Sequence, residues 1–151
     1  EALITAFDPL DDSSTADIGA ATVDLAAVLG EEVTSAQRDF RFDAGKRCVT
    51  IDDQLTGMQP GTEVQWTMVT KAEVTVEKDR ATATLRQGGK SLEVRASSSP
   101  PGAWSASPFA GPERRYGKNR EGLTLLRWNT QADGNGALSL EVALSPSGAK
   151  K

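Results

Sequence analysis

Apolar and polar residues alternate along most of the chain in short runs, the period-2 pattern of strands with one face buried and one face wet. In one such run Val64, Trp66 and Met68 fall on one face and Gln65, Thr67 and Val69 on the other; Leu138, Leu140, Val142 and Leu144 repeat the pattern near the end. The pattern predicts strands over Leu3–Phe7, Ala20–Leu25, Val33–Phe42, Arg47–Leu55, Glu63–Val69, Glu73–Glu77, Ala81–Arg86, Ser91–Ala96, Leu123–Trp128 and Ala137–Leu144. Ten strands in a chain of this length are too many for one flat sheet. Between them, Asp43-Ala44-Gly45, Gln59-Pro60-Gly61, Gln87-Gly88-Gly89 and Asp133-Gly134-Asn135-Gly136 supply positive-φ positions or a preset proline, so neighbours in sequence should pair as antiparallel hairpins. The one departure is Leu25, Val28 and Leu29, whose spacing is helical and predicts at most one short helical turn before Gly30. The expected fold is all-β, an antiparallel β-sandwich of about ten strands. Residues 1–145 form its single domain and 146–151 a polar C-terminal tail.

Two stretches break the alternation. Asp8–Asp17 is polar and lacks hydrophobic anchors, which reads as an exposed loop. Ser97–Arg120 holds four prolines, three glycines, the aromatic residues Trp104, Phe109 and Tyr116, and the cations Arg114, Arg115, Lys118 and Arg120. That is long for a structureless connection, and loops of this length are either functional or packed down by their own side chains.

Composition narrows the chemistry. With 151 residues the chain fits one domain and buries roughly 70% of its unfolded surface on folding, so it needs neither disulfide nor metal. Its lone Cys48 cannot form an internal bridge, and it holds no histidine at all. That absence removes Ser-His-Asp and Cys-His arrangements, HExxH zinc sites, and the commonest proton carrier near neutral pH. A net charge of −4 argues against a nucleic-acid binder, and no apolar run is long enough for a membrane span. The first residue is Glu and no signal-peptide pattern opens the chain, so it is expected to be a segment of something longer.

The long loop is the place where aromatic and cationic residues gather. Aromatic faces flanked by Arg are what a protein uses to stack on a sugar ring or hold a carboxylate or sulfate. Trp104, Arg114, Arg115, Tyr116 and Lys118 are therefore candidates for a substrate rim. The competing reading is that Trp104, Phe109 and Tyr116 pin the loop onto the sheet and the basic run is a solvated edge. Trp66 and Trp128 read as core. Asp52 and Asp53 are adjacent on a strand and point to opposite faces, so they form no acid–base pair; Arg38 and Arg41 also fall on opposite faces. Cys48 reads as an inert buried thiol. No catalytic residue, metal site or cofactor is predicted.

The chain resembles the C-terminal region of heparinase II/III-like polysaccharide lyases. The resemblance is carried by ITAFDP (Ile4–Pro9), ATVDLAAVLG (Ala21–Gly30), VTSAQRDFRF (Val33–Phe42), VTIDDQL (Val49–Leu55) and VQWTMVT (Val64–Thr70), then by the loop with Trp104, Pro108 and Tyr116 before LTLLRW (Leu123–Trp128). It implies a supersandwich-like β domain following an N-terminal α-toroid in the same parent chain. It also implies a parent enzyme, secreted or periplasmic in a bacterium, that cleaves uronic-acid polysaccharides by β-elimination. Asn, His and Tyr carry that chemistry in the family. This segment has no His, and its one Tyr lies in the loop, so no catalytic position is carried over. The implied partners are the toroid and an anionic polysaccharide. Two other classes remain open: an autonomous carbohydrate-binding module, which would expose at least two of the three tryptophans on one face, and a structural extracellular β-sandwich, which would bury all three.

Overall fold

The computed structural model describes residues 2–8, 18–109 and 122–147. Its strands are β1 (Leu3–Asp8), β2 (Ile18–Asp24), β3 (Ser35–Asp43), β4 (Cys48–Thr56), β5 (Glu63–Thr70), β6 (Glu73–Val76), β7 (Thr82–Gln87), β8 (Lys90–Ser99), β9 (Ala103–Pro108), β10 (Thr124–Gln131) and β11 (Leu138–Pro146). A single helical turn, α1 (Ala26–Leu29), stands between β2 and β3 where the spacing of Leu25, Val28 and Leu29 predicts it, and a 3-10 turn at Gly30–Glu32, which that spacing does not predict, follows it.

The strands form two antiparallel sheets, one of eight in the order β1-β2-β3-β4-β11-β8-β7-β6 and one of three in the order β5-β10-β9. Turn chemistry sets the hairpins. Gly88 and Gly89 both take positive φ, 58° and 74°, between the paired Gln87 and Lys90. Two consecutive left-handed residues give the primed turn whose twist matches that of the strands it joins. At Gly136, φ is 72°, and a Cβ there would lie 1.9 Å from the Met58 carbonyl oxygen. Its own carbonyl accepts the Met58 N–H at 3.0 Å, so side-chain absence there allows two connections to pack against each other.

The core lies between the sheets. Trp66, Leu126, Trp128 and Trp104 face inward from the three-stranded sheet onto Ala83, Leu85, Val94, Ala96, Leu140 and Val142 of the larger one. Trp128 pairs in register with Trp66 on one side and Trp104 on the other, and the Trp104 ring meets Trp66 and Trp128 edge-on with centroids 5.8 and 5.2 Å away. These are favoured aromatic geometries.

The two sheets differ in width, and the difference leaves one flank open. β9 packs beside β6, which closes the sandwich on that flank. On the other, the inner face of the large sheet runs on past the cover of β5. Directly opposed residues share a face, so the cross-strand pairs Val49–Phe42, Phe42–Gly19, Phe40–Ala21, Ala21–Phe7 and Val23–Ile4 carry the core face outward to β1. There Phe7 is 70% and Ile4 65% exposed.

Three expectations are corrected. Ser97–Arg120 is not one loop: β8 continues to Ser99 and β9 follows within it. Cys48 is half-buried rather than buried. Strand pairing continues through Pro146, opposite Leu92, where the polar tail was expected to begin; residues 148–151 lie outside the described residues, as does 9–17 of the polar loop.

Candidate functional site

Among the predicted rim residues, Trp104 is in the core. It is 1% exposed, and its indole N–H donates to the Ala81 carbonyl at 2.9 Å. β9 alternates, and position 104 points at the opposing sheet, so the ring cannot offer a face to a sugar. Arg114, Arg115, Tyr116 and Lys118 fall at 110–121, outside the described residues. Trp128, 2% exposed, donates to Ser98 Oγ at 3.0 Å, and Trp66 is 8% exposed. With all three tryptophans buried, the exposed aromatic pair that a jelly-roll binding module would use is missing from the tryptophans.

Strand directions gather the cations at one end. β4 begins, β7 ends, β8 begins and β5 ends at the same end of the sandwich, and there the chain also leaves β9 and re-enters β10. Arg47 and Lys90 line a hollow of about 880 Å3 at this end, floored by Ala72, Leu85 and Leu92. Lys71, exposed, sits beside it in sequence between Thr70 and Ala72. Lys46 lies in the same turn as Arg47 but is engaged by Asp43 at 2.9 Å. That contact and the Lys46 backbone N–H hold the Asp43 carboxyl below its ordinary pKa, the backbone bond being the larger cause. The opposite end carries Asp24, Glu31, Glu32, Glu77, Asp79 and Asp133, together with the cations Lys78 and Arg80. Residue types alone did not single out Arg47, Lys71 and Lys90, because only the sheet order shows that their turns share an end.

The outer face of the three-stranded sheet is a polar ladder. Gln65 Nε2 donates to Asn129 Oδ1 at 2.8 Å, Asn129 Nδ2 to Ser105 Oγ at 2.9 Å, and Arg127 Nη1 to Ser107 Oγ at 2.8 Å. On the large sheet Asp53 faces inward, 5% exposed, and holds Arg38 through two contacts of 2.6 Å. Asp52 faces outward, so the two carboxylates do stand on opposite faces. Among the described residues no group of three or more His, Cys, Asp or Glu is placed to hold a metal. Nor is any helix among them long and apolar enough to cross a membrane. The arrangement can hold an anion at its basic end.

These features define an all-β, two-sheet antiparallel sandwich. The same fold occurs in heparinase III structures. One titled "Heparinase III-BT4657 gene product" matches 97% of this chain at a TM-score of 0.74 and 13% identity, using 21% of its own chain. A heparan sulfate lyase HepC mutant from Pedobacter heparinus matches 100% of this chain at 0.70 and 12% identity, using 22% of its own. A further heparinase III structure matches 99% at 0.64 and 11% identity. The chain thus spans about a fifth of the length of these proteins, and at such identities the likeness is one of fold. No protein-family model and no curated protein sequence matches the chain.

Proposed function

We propose that the chain is a non-catalytic β-sandwich domain of a heparinase II/III-like polysaccharide lyase. In that enzyme it supports an N-terminal α-toroid and lends its basic end to the rim of the substrate path. The observation that carries this reading is the match of 97% of the chain to only 21% of a heparinase III structure. The chemistry agrees: β-elimination from a uronate needs a group that neutralises the carboxylate, a base for the C5 proton and an acid for the leaving oxygen. A chain without histidine lacks the residue type that the family's elimination chemistry uses and is suited to binding and support rather than to those steps. The parent enzyme is placed in the periplasm or outside a bacterial cell, where it meets polymeric glycans, and this domain needs no cofactor.

The test is the ultraviolet absorbance of unsaturated uronate. The 151-residue chain should give no rise on uronic-acid polysaccharides, and the longer polypeptide that contains it should. Changing Arg114 and Arg115 to Ala in that polypeptide should raise KM more than it lowers kcat. Product formed by the 151-residue chain alone would overturn the non-catalytic role, and unchanged kinetics would take those arginines off the rim.

A second reading, a structural extracellular β-sandwich, is favoured by the burial of Trp66, Trp104 and Trp128. It predicts that no polysaccharide binds even to the longer polypeptide.

A further inference from the structure

The open flank is shaped for one more layer of polypeptide. Among the described residues β5 is an edge strand, paired to β10 on one side and to no strand of its sheet on the other. Every second residue of such an edge leaves its N–H and C=O free for another strand. Beyond that edge lies a continuation of the core face that no described residue covers. Phe7, Ala21, Phe40, Phe42 and Val49 line a shallow hollow of about 290 Å3, and Ile4 continues the surface with 65% exposure. A contiguous apolar face that is continuous with a core marks an interface.

A third observation sits at the seam. Trp66, on β5, lines a cleft of about 120 Å3 shared with Leu25, Leu29, Ala36 and Arg38. Its Nε1 is the one buried side-chain polar atom without a hydrogen-bond partner among the described residues. The other two tryptophans have theirs, at Ala81 and Ser98. A buried indole N–H left unsatisfied costs about 1–3 kcal/mol, so the seam calls for an acceptor from outside the two sheets.

We infer that extended segments of the parent polypeptide, lying outside residues 1–151, pair in succession from the free edge of β5 and widen the three-stranded sheet over β3, β2 and β1. Together these segments carry apolar residues at every second position toward Phe42, Phe7 and Ile4, and the one paired to β5 brings a carbonyl or hydroxyl oxygen to Trp66 Nε1. This is strand addition within one polypeptide, with main-chain bonds setting register and alternate side chains filling the face. It rests on the reading above that the chain is one domain of a longer protein, which supplies the occupant: the similar structures have about four-fifths of their length outside this fold unit.

Hydrogen–deuterium exchange of the β5 peptide tests it, in the 151-residue chain and in the parent polypeptide. In the parent, the outward β5 amides should exchange at least about tenfold more slowly. Phe7→Lys should abolish that extra protection in the parent while leaving the thermal midpoint of the 151-residue chain unchanged, because Phe7 is already bare there. Equal exchange in the two proteins overturns the inference, as does a parent indifferent to Phe7→Lys. A concentration-dependent dimer of the 151-residue chain that Phe7→Lys dissolves also overturns it, by assigning the face to a second copy. None of these readings involves substrate, so the parent can fail the uronate assay with the face covered, or pass it with the face bare.

Discussion

Trp104 shows how one residue's role turns on its strand. In sequence it stands four positions after Pro100, in a stretch dense with proline and glycine, and it reads more readily as a loop pin than as a sugar platform. In the fold it sits at the register where three adjacent strands each present a tryptophan, and its ring is the one that touches both others. Trp104→Ala should therefore destabilise the 151-residue chain by about 3–5 kcal/mol, the range for deleting a buried aromatic. Trp104→Phe should cost less, through the lost bond to the Ala81 carbonyl, about 1 kcal/mol. Denaturant unfolding reads both. A rim residue would leave the midpoint unmoved, and that result would return Trp104 to the surface.

Most strands were legible because their alternation is dense: ten predicted runs overlap ten strands of the structure. β9 was not, for a physical reason. Its sequence, AWSASP, offers only Trp104 and Ala106 to the inner face and ends on a proline, which an edge strand tolerates because its outer N–H is unneeded. Strand pairing also creates electrostatics that no single run reveals. Asp39 and Asp52 come from different strands and meet as a cross-strand pair. Asp39 is supported by Thr22 Oγ1 at 2.5 Å and Gln37 Nε2 at 2.8 Å. Asp52 has its pKa raised above 3.8, first by burial and then by the charges of Asp39 and Asp53. A carboxyl that holds its proton more tightly when folded costs stability once ionised. That cost is present at neutral pH and disappears as pH falls through the raised folded-state value toward and below 3.8. Asp133 has the opposite sign. Its Oδ1 accepts the Ala137 and Asn135 N–H groups, each at 2.8 Å, which lowers its pKa. Its contribution is full above 3.8 and is lost as pH falls through the lowered value. Asp52→Asn should raise the thermal midpoint at pH 7, Asp133→Ala should lower it, and both differences should shrink toward about pH 2. A difference that stays constant with pH would assign the effect to packing instead.

At the scale of the whole molecule, a net charge of −4 hides a polarised surface. The sequence gathers cations only between Ser97 and Arg120. The topology adds Arg47, Lys71 and Lys90 to the end where that segment joins β9 and β10, information that lies in sheet order rather than in any local run. A polyanion approaching β7 and β8 meets Arg47 and Lys90 lining a hollow of about 880 Å3, despite the negative total. Retention of the 151-residue chain on an immobilised uronic-acid polysaccharide at low salt should fall when Arg47 and Lys90 are changed together to Ala. Each exposed contact should account for about 0.2–1 kcal/mol. Changing Lys78 and Arg80, at the acidic end, should leave retention as it was, and about 0.5 M salt should abolish it for every variant by shortening the screening length. Equal losses from the two ends would mean that total charge alone governs retention, and the basic end would then have no place in holding the glycan.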